Sequence, residues 1–112
     1  MSGDYIPDKG DIVWLDFDPQ AGHEQAGKRP ALVVSPKNYN SAVGLALFQP
    51  ITNKQKGYPF EVVLPAKLPI SGVFLSDQIK SLDWRIRKIK YICTIPEKYY
   101  TEAIEKFLVL LK

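Results

Sequence analysis

Short apolar runs, separated by turn residues, occupy most of the chain before position 96. They fall at residues 12–17 (IVWLDF), 31–35 (ALVVS), 45–52 (LALFQPIT), 60–64 (FEVVL), 72–76 (GVFLS), 78–84 and 90–95. Each is rich in valine, isoleucine or aromatics and is bounded by Gly, Pro, Asn or Asp, the signature of β-strands. Their close spacing predicts a small barrel or sandwich. Phe60, Val62 and Leu64 alternate with Glu61 and Val63, which predicts one core face and one partly exposed face. Residues 38–44 (NYNSAVG) have room for a helical turn and signal little more. After Tyr100 the period changes. Ala103, Ile104, Phe107, Leu108 and Leu111 recur at three- and four-residue steps, with Glu102, Glu105, Lys106 and Lys112 elsewhere on the wheel, which predicts an amphipathic helix. Thr94 and Glu97 have capping-box spacing, and Pro96 fits a first turn, so the helix is expected to begin near Ile95. Its stripe is expected to pack on the barrel rather than on a membrane. The pattern therefore predicts a mainly β fold with a C-terminal helix, residues 1–112 forming a single domain around one core.

Composition narrows the class. At 46% apolar and 24% charged residues the chain matches an ordinary globular domain, not a disordered or fibrous one. The start, MSGDYIPDKGD, lacks the basic and apolar stretches of a secretion signal. No run approaches the roughly 18 apolar residues of a membrane span. These features point to a cytoplasmic protein with no membrane partner. Cys93 is the sole cysteine, which excludes an internal disulfide or a cysteine-based metal cluster within one chain, and its setting in KYICTI reads as core.

Net charge is +3, but it is unevenly spread. Residues 1–27 carry six acids and one lysine, a balance of −5, whereas residues 28–96 carry eleven bases and three acids, a balance of +8. Such a split predicts a basic face for a polyanion or an acidic peptide, or else a solvated charged surface.

Candidate chemistry concentrates in residues 22–30, GHEQAGKRP, just before the second apolar run. Arg29 offers a permanently charged planar fork that matches paired phosphate oxygens, and Lys28 adds a second positive charge. From this loop alone, an ion pair between Arg29 and a nearby aspartate is the other reading. A second segment, TNKQKG at 52–57, carries Lys54 and Lys56 and leads into Tyr58. Lysines on phosphates with an aromatic stacked on an unpaired base suit single-stranded nucleic acid, although a lysine-rich turn also serves solubility alone. No glycine-rich phosphate loop, zinc-binding histidine pair or nucleophile elbow is present. The single histidine, His23, rules out a two-histidine acid–base pair within one chain.

Gly10-Asp11 before the first strand, the loop GHEQAGKRPALVVSP, the strand end Pro50-Ile51-Thr52, KGYPFEVVL and VFLSDQIKSLDWR together resemble the MazF/PemK family of toxin endoribonucleases, the mRNA interferases of type II toxin–antitoxin systems. The resemblance covers nearly the whole chain and fades in the C-terminal helix. It implies an SH3-like small barrel of the CcdB/PemK-like toxin fold, a homodimer, and cleavage of single-stranded RNA without metal or cofactor. It places the catalytic pair on Arg29 and Thr52, an assisting carboxylate on Glu24, and a position near the RNA on Gln78. With Gln78, the residues Lys28, His23, Lys54, Lys56 and Tyr58 are the candidate RNA contacts.

The implied chemistry is attack of a ribose 2′-hydroxyl on its neighbouring phosphorus, giving 2′,3′-cyclic phosphate and 5′-hydroxyl ends. A fixed guanidinium and a hydroxyl donor would stabilise the growing negative charge. Glu24 and His23 both remain open as the base. The same resemblance implies an antitoxin whose acidic tail blocks the RNA groove. Two alternatives on the same barrel are a CcdB-like gyrase-binding toxin and a non-catalytic RNA-binding barrel.

Overall fold

In a computed structural model, residues 5–17 and 27–112 are described. All seven expected strands form: β1 (Asp11–Asp16), β2 (Lys28–Val33), β3 (Leu45–Thr52), β4 (Glu61–Val63), β5 (Val73–Leu75), β6 (Lys80–Asp83) and β7 (Lys90–Thr94). Helix α1 (Lys37–Val43) precedes β3, and helix α2 (Glu97–Leu108) follows β7 and runs into a 3-10 turn, Val109–Leu111. The architecture is mainly β with a C-terminal helix, in the small SH3-like barrel arrangement.

Every strand pairing is antiparallel, and β3 lies at the centre. One edge of β3 pairs with β2, through Ala31↔Pro50, Leu32↔Gln49 and Val33↔Phe48. Its other edge pairs first with β6, from Leu45↔Asp83 to Phe48↔Lys80, and then with β5, through Ile51↔Phe74 and Thr52↔Val73. Pro50, which has no N–H for a ladder, lies where β3 changes partner. The exchange joins two arms of sheet, β4–β5 on one side and β2–β1–β7 on the other.

Strand alternation sorts the apolar side chains onto two faces. Val13, Leu15, Phe17, Ala31, Val33, Ala46, Phe48 and Trp84 form one cluster. Ile12, Leu32, Ile51, Val62, Leu64, Phe74, Ile95 and Ala103 form the other, with α2 against it. Cys93 packs at the edge of the second cluster, and burial pushes its thiol pKa up, as for an unreactive core-edge residue.

Four local expectations are corrected. Residues 37–43 form a full α-helix, closed by Gly44 at φ +82 and anchored by buried Asn40, whose amide donates to the Pro7 and Ser35 carbonyls at 2.8 and 2.9 Å. The capping box is not formed. Thr94 Oγ1 instead donates to Asp11 Oδ1 at 3.0 Å, while Asp11 Oδ2 accepts the Tyr5 hydroxyl at 2.6 Å, so α2 begins at Glu97 behind Pro96 with no side-chain cap. Glu61 is buried rather than partly exposed. The stripe of α2 packs only in its first part: Ala103 is fully buried, whereas Leu108 is 42% and Leu111 65% exposed.

Candidate active site

The strand register does the first positioning. Ala31 opposes Pro50 at the last pair of the β2–β3 ladder, and just beyond it Arg29, near the start of β2, and Thr52, at the end of β3, enter the wall of one depression. Arg29 therefore belongs to strand β2 itself, paired with Leu15 of β1, rather than to the loop before it. A strand fixes a side chain more firmly than a loop does. Thr52 is only 6% exposed, and its Oγ1 accepts the Lys54 N–H at 3.2 Å. That bond uses one lone pair of the oxygen and leaves the hydroxyl proton for Thr52 to donate.

Two depressions meet at Thr52. The larger, about 690 Å³, is lined by Thr52, Lys54, Lys56, Tyr58, Glu61, Leu75, Asp77, Gln78, Ile79 and Lys80. The smaller, about 230 Å³, has Trp14, Arg29, Pro30, Thr52 and Asn53 in its wall. The structure thus brings together Arg29, Thr52, Lys54, Lys56, Tyr58 and Gln78 of the expected residues. Lys28 opens β2 beside Arg29 and pairs with Asp16, outside both depressions. Glu24 and His23 lie outside the described residues.

Sequence reasoning missed the group that shapes the large groove. Glu61 is 7% exposed, yet both its carboxylate oxygens are used: Oε2 accepts the Lys56 N–H and Oε1 the Gly57 N–H, each at 2.9 Å. A carboxylate holding two backbone donors is a charge-assisted clamp on the 53–57 loop. Gly57 takes φ +77 there. Lys106 of α2 then donates to the Glu61 carbonyl at 2.8 Å and pairs with Glu102 at 3.3 Å, tying the helix to the same point. The signal was a lone acid in an apolar strand just after a glycine turn.

The turn after β5 lines the same groove. Asp77 there accepts a hydrogen bond from the Tyr58 hydroxyl. Tyr58 has its pKa pushed up to about 12, first by burial and then by the Asp77 hydrogen bond, so it stays a neutral donor at any working pH. Gln78 keeps its Oε1 buried with no hydrogen-bond partner, and such an atom in a groove wall is one that a ligand N–H can complete. Among the described residues, no three His, Cys, Asp or Glu side chains come together as a metal site. Among them, too, no helix is long and apolar enough to cross a membrane.

A basic groove ending at a guanidinium and a hydroxyl can hold a phosphodiester and stabilise charge on its oxygens. Comparison with known proteins agrees in kind. Residues 8–111 match the family model of the PemK-like, MazF-like toxin of type II toxin–antitoxin systems. The endoribonuclease toxin MazF of Escherichia coli strain K12 is 54% identical over 87 residues, 78% of each chain. The crystal structure of MazF from Deinococcus radiodurans superimposes with a TM-score of 0.94 at 53% identity, covering 96% of this chain and 98% of that one. A MazE–MazF crystal structure from the same organism matches with a TM-score of 0.86 at 46% identity, over 96% and 97% of the two chains.

Proposed function

This chain belongs to the PemK-like, MazF-like toxins of type II toxin–antitoxin systems, and from that premise we propose that it is an endoribonuclease toxin that cuts single-stranded RNA at Arg29 and Thr52 without a metal. The observation carrying this reading is that Arg29 and Thr52 share the wall of one depression, which meets at Thr52 a groove bearing Lys54, Lys56 and Lys80. The lysines hold backbone phosphates, and Tyr58 and Gln78 meet bases. At the scissile phosphate the 2′-oxygen forms the new bond to phosphorus and gives its proton to a base. The 5′-oxygen leaves with the old bonding pair and takes up a proton. Negative charge rises on the phosphoryl oxygens between these events, where the Arg29 fork and the Thr52 hydroxyl lower the barrier. Arg29 acts as a fixed cation, since a guanidinium does not deprotonate near neutral pH. Glu24, on which the resemblance places an assisting carboxylate, or His23, as an imidazole that ordinarily titrates near neutrality, serves as the base.

The test is direct. Incubated with a long defined RNA in excess chelator, the protein is expected to yield fragments with 2′,3′-cyclic phosphate and 5′-hydroxyl ends. Intact RNA retained in a gel would instead favour a non-catalytic RNA-binding barrel. No cleavage and no retention would favour the gyrase-binding alternative.

The partner in this reading is an antitoxin with an acidic segment that occupies the same basic groove. Residues 1–112 act as one domain in the cytoplasm, as a homodimer supported by the exposed apolar end of the chain, Leu108 through Leu111. Because the lysines of one groove serve both ligands, an acidic antitoxin peptide and RNA are expected to exclude each other, with both affinities falling as salt rises. Titrating the peptide into the protein–RNA complex checks this; a ternary complex would refute it.

A further inference from the structure

Asp77 is out of place on electrostatic grounds. It lines a groove with Lys54, Lys56 and Lys80, where the other carboxylate, Glu61, is taken up by two backbone N–H groups, and a carboxylate there repels a phosphate backbone. Its geometry supplies a reason. Tyr58 stands just before β4 and Asp77 in the turn after β5, neighbouring strands whose ladder continues in the bond from the Ser76 N–H to the Phe60 carbonyl at 2.9 Å, so the hydrogen bond between Tyr58 and Asp77 joins the loop before β4 to that turn. Phe60 packs against the same ring edge-on, with centroids 6.2 Å apart and planes at 80°. Beneath the ring, the backbone is clamped by Glu61 through the N–H groups of Lys56 and Gly57. Tyr58 is thus held at its hydroxyl, at its flank and at its base.

We propose that Asp77 is a positioning residue that orients the Tyr58 ring as a ready-made stacking face for an unpaired nucleobase of the RNA, an inference that rests on the endoribonuclease reading above. A ring ordered before binding gives up little rotamer freedom when a base stacks on it, so the preorganisation is felt as affinity. The bridge offsets the repulsion that the carboxylate introduces.

Two variants separate the bridge from the charge. Asp77→Asn and Asp77→Ala both remove the negative charge, but only asparagine keeps an oxygen that can accept the Tyr58 hydroxyl. Affinity is measured for an oligoribonucleotide lacking the 2′-hydroxyl at its cleavable position, at one fixed salt concentration. Asp77→Asn is expected to bind as tightly as wild type or tighter. Asp77→Ala is expected to bind about fivefold or more weakly, the low end of what a lost base–ring stack costs, with KM raised and kcat nearly unchanged. Tyr58→Phe should copy Asp77→Ala, and the double variant should be no worse than either single one. Absorbance titration adds a readout that a general loss of stability would not produce. The Tyr58 phenol, pushed up to about 12, should titrate lower in Asp77→Ala. If Asp77→Ala binds as tightly as Asp77→Asn, if the losses add, or if the phenol titration is unmoved, the positioning role is overturned while wild-type cleavage still stands. A wild-type protein that neither binds nor cuts RNA overturns both readings.

Discussion

Arg29→Ala is expected to slow single-turnover RNA cleavage by about a hundredfold to a thousandfold, the usual consequence of removing one preorganised donor from a developing oxyanion. The argument begins with placement. Arg29 is carried by β2, held against Leu15 of β1, and shares the wall of one depression with Thr52. Its backbone is therefore in position before RNA arrives. In water such a charge would be worth little, but beside a half-enclosed groove it acts through fewer solvent dipoles. Arg29→Lys should restore only part of the rate, because an ammonium keeps the charge and loses the paired-donor geometry. The check is quenched-flow cleavage of a defined RNA by variants whose circular dichroism and melting temperature are recorded alongside. A folded Arg29→Ala protein that cuts at the wild-type rate removes Arg29 from the mechanism.

The second large effect is expected at a residue with no functional group. Gly72 adopts φ +125, and a Cβ built there would lie 2.4 Å from the Thr52 carbonyl oxygen and 3.0 Å from its carbonyl carbon. The contact is with backbone, which cannot swing aside as a long side chain can. Gly72→Ala must therefore push the end of β3 away from β5, where Thr52 pairs with Val73. Strain at such a backbone conformation costs about 1–3 kcal/mol, and in a domain of this size each 1 kcal/mol lowers Tm by roughly 4–8 °C. The rate should fall further than stability does, on the order of a hundredfold if the Thr52 hydroxyl moves by about 1 Å. Gly10→Ala is the control. That glycine also has positive φ, at +90, but its nearest neighbour is Thr94 Cγ2 at 3.9 Å, so it should lose stability and keep its cleavage rate. Equal rate losses in the two variants would show that Gly72 acts through stability alone.

Much of this could be read from the chain. The continuous apolar runs IVWLDF, ALVVS and LALFQPIT, bounded by turn residues, were enough to place β1, β2 and β3, because each buries apolar side chains on both faces between two clusters. The change of period after Tyr100 placed α2 for the same reason. What could not be read depends on partners distant in sequence. Thr94 has the spacing of a helix cap, but Asp11, brought alongside by the β1–β7 pairing, takes its hydroxyl instead. Glu61 looks like the exposed residue of an alternating strand until Lys56 and Gly57 fold back onto its carboxylate. The motif resemblance supplied Arg29 and Thr52 as a pair, and only the folded chain shows that they line one depression. Asp77 lies in a matched motif that assigns it no role, and Gly72 lies just before that motif: one matters through Tyr58, the other through the space it leaves beside Thr52.

The reacting pair stands on strand ends knitted into the ladder, whereas the groove walls are a loop and a turn. Loops tolerate insertion and exchange far better than paired strands do. Descendants of this chain can thus rewrite which nucleotides they favour, by altering the 53–60 and 76–79 segments, and still inherit the cutting chemistry intact.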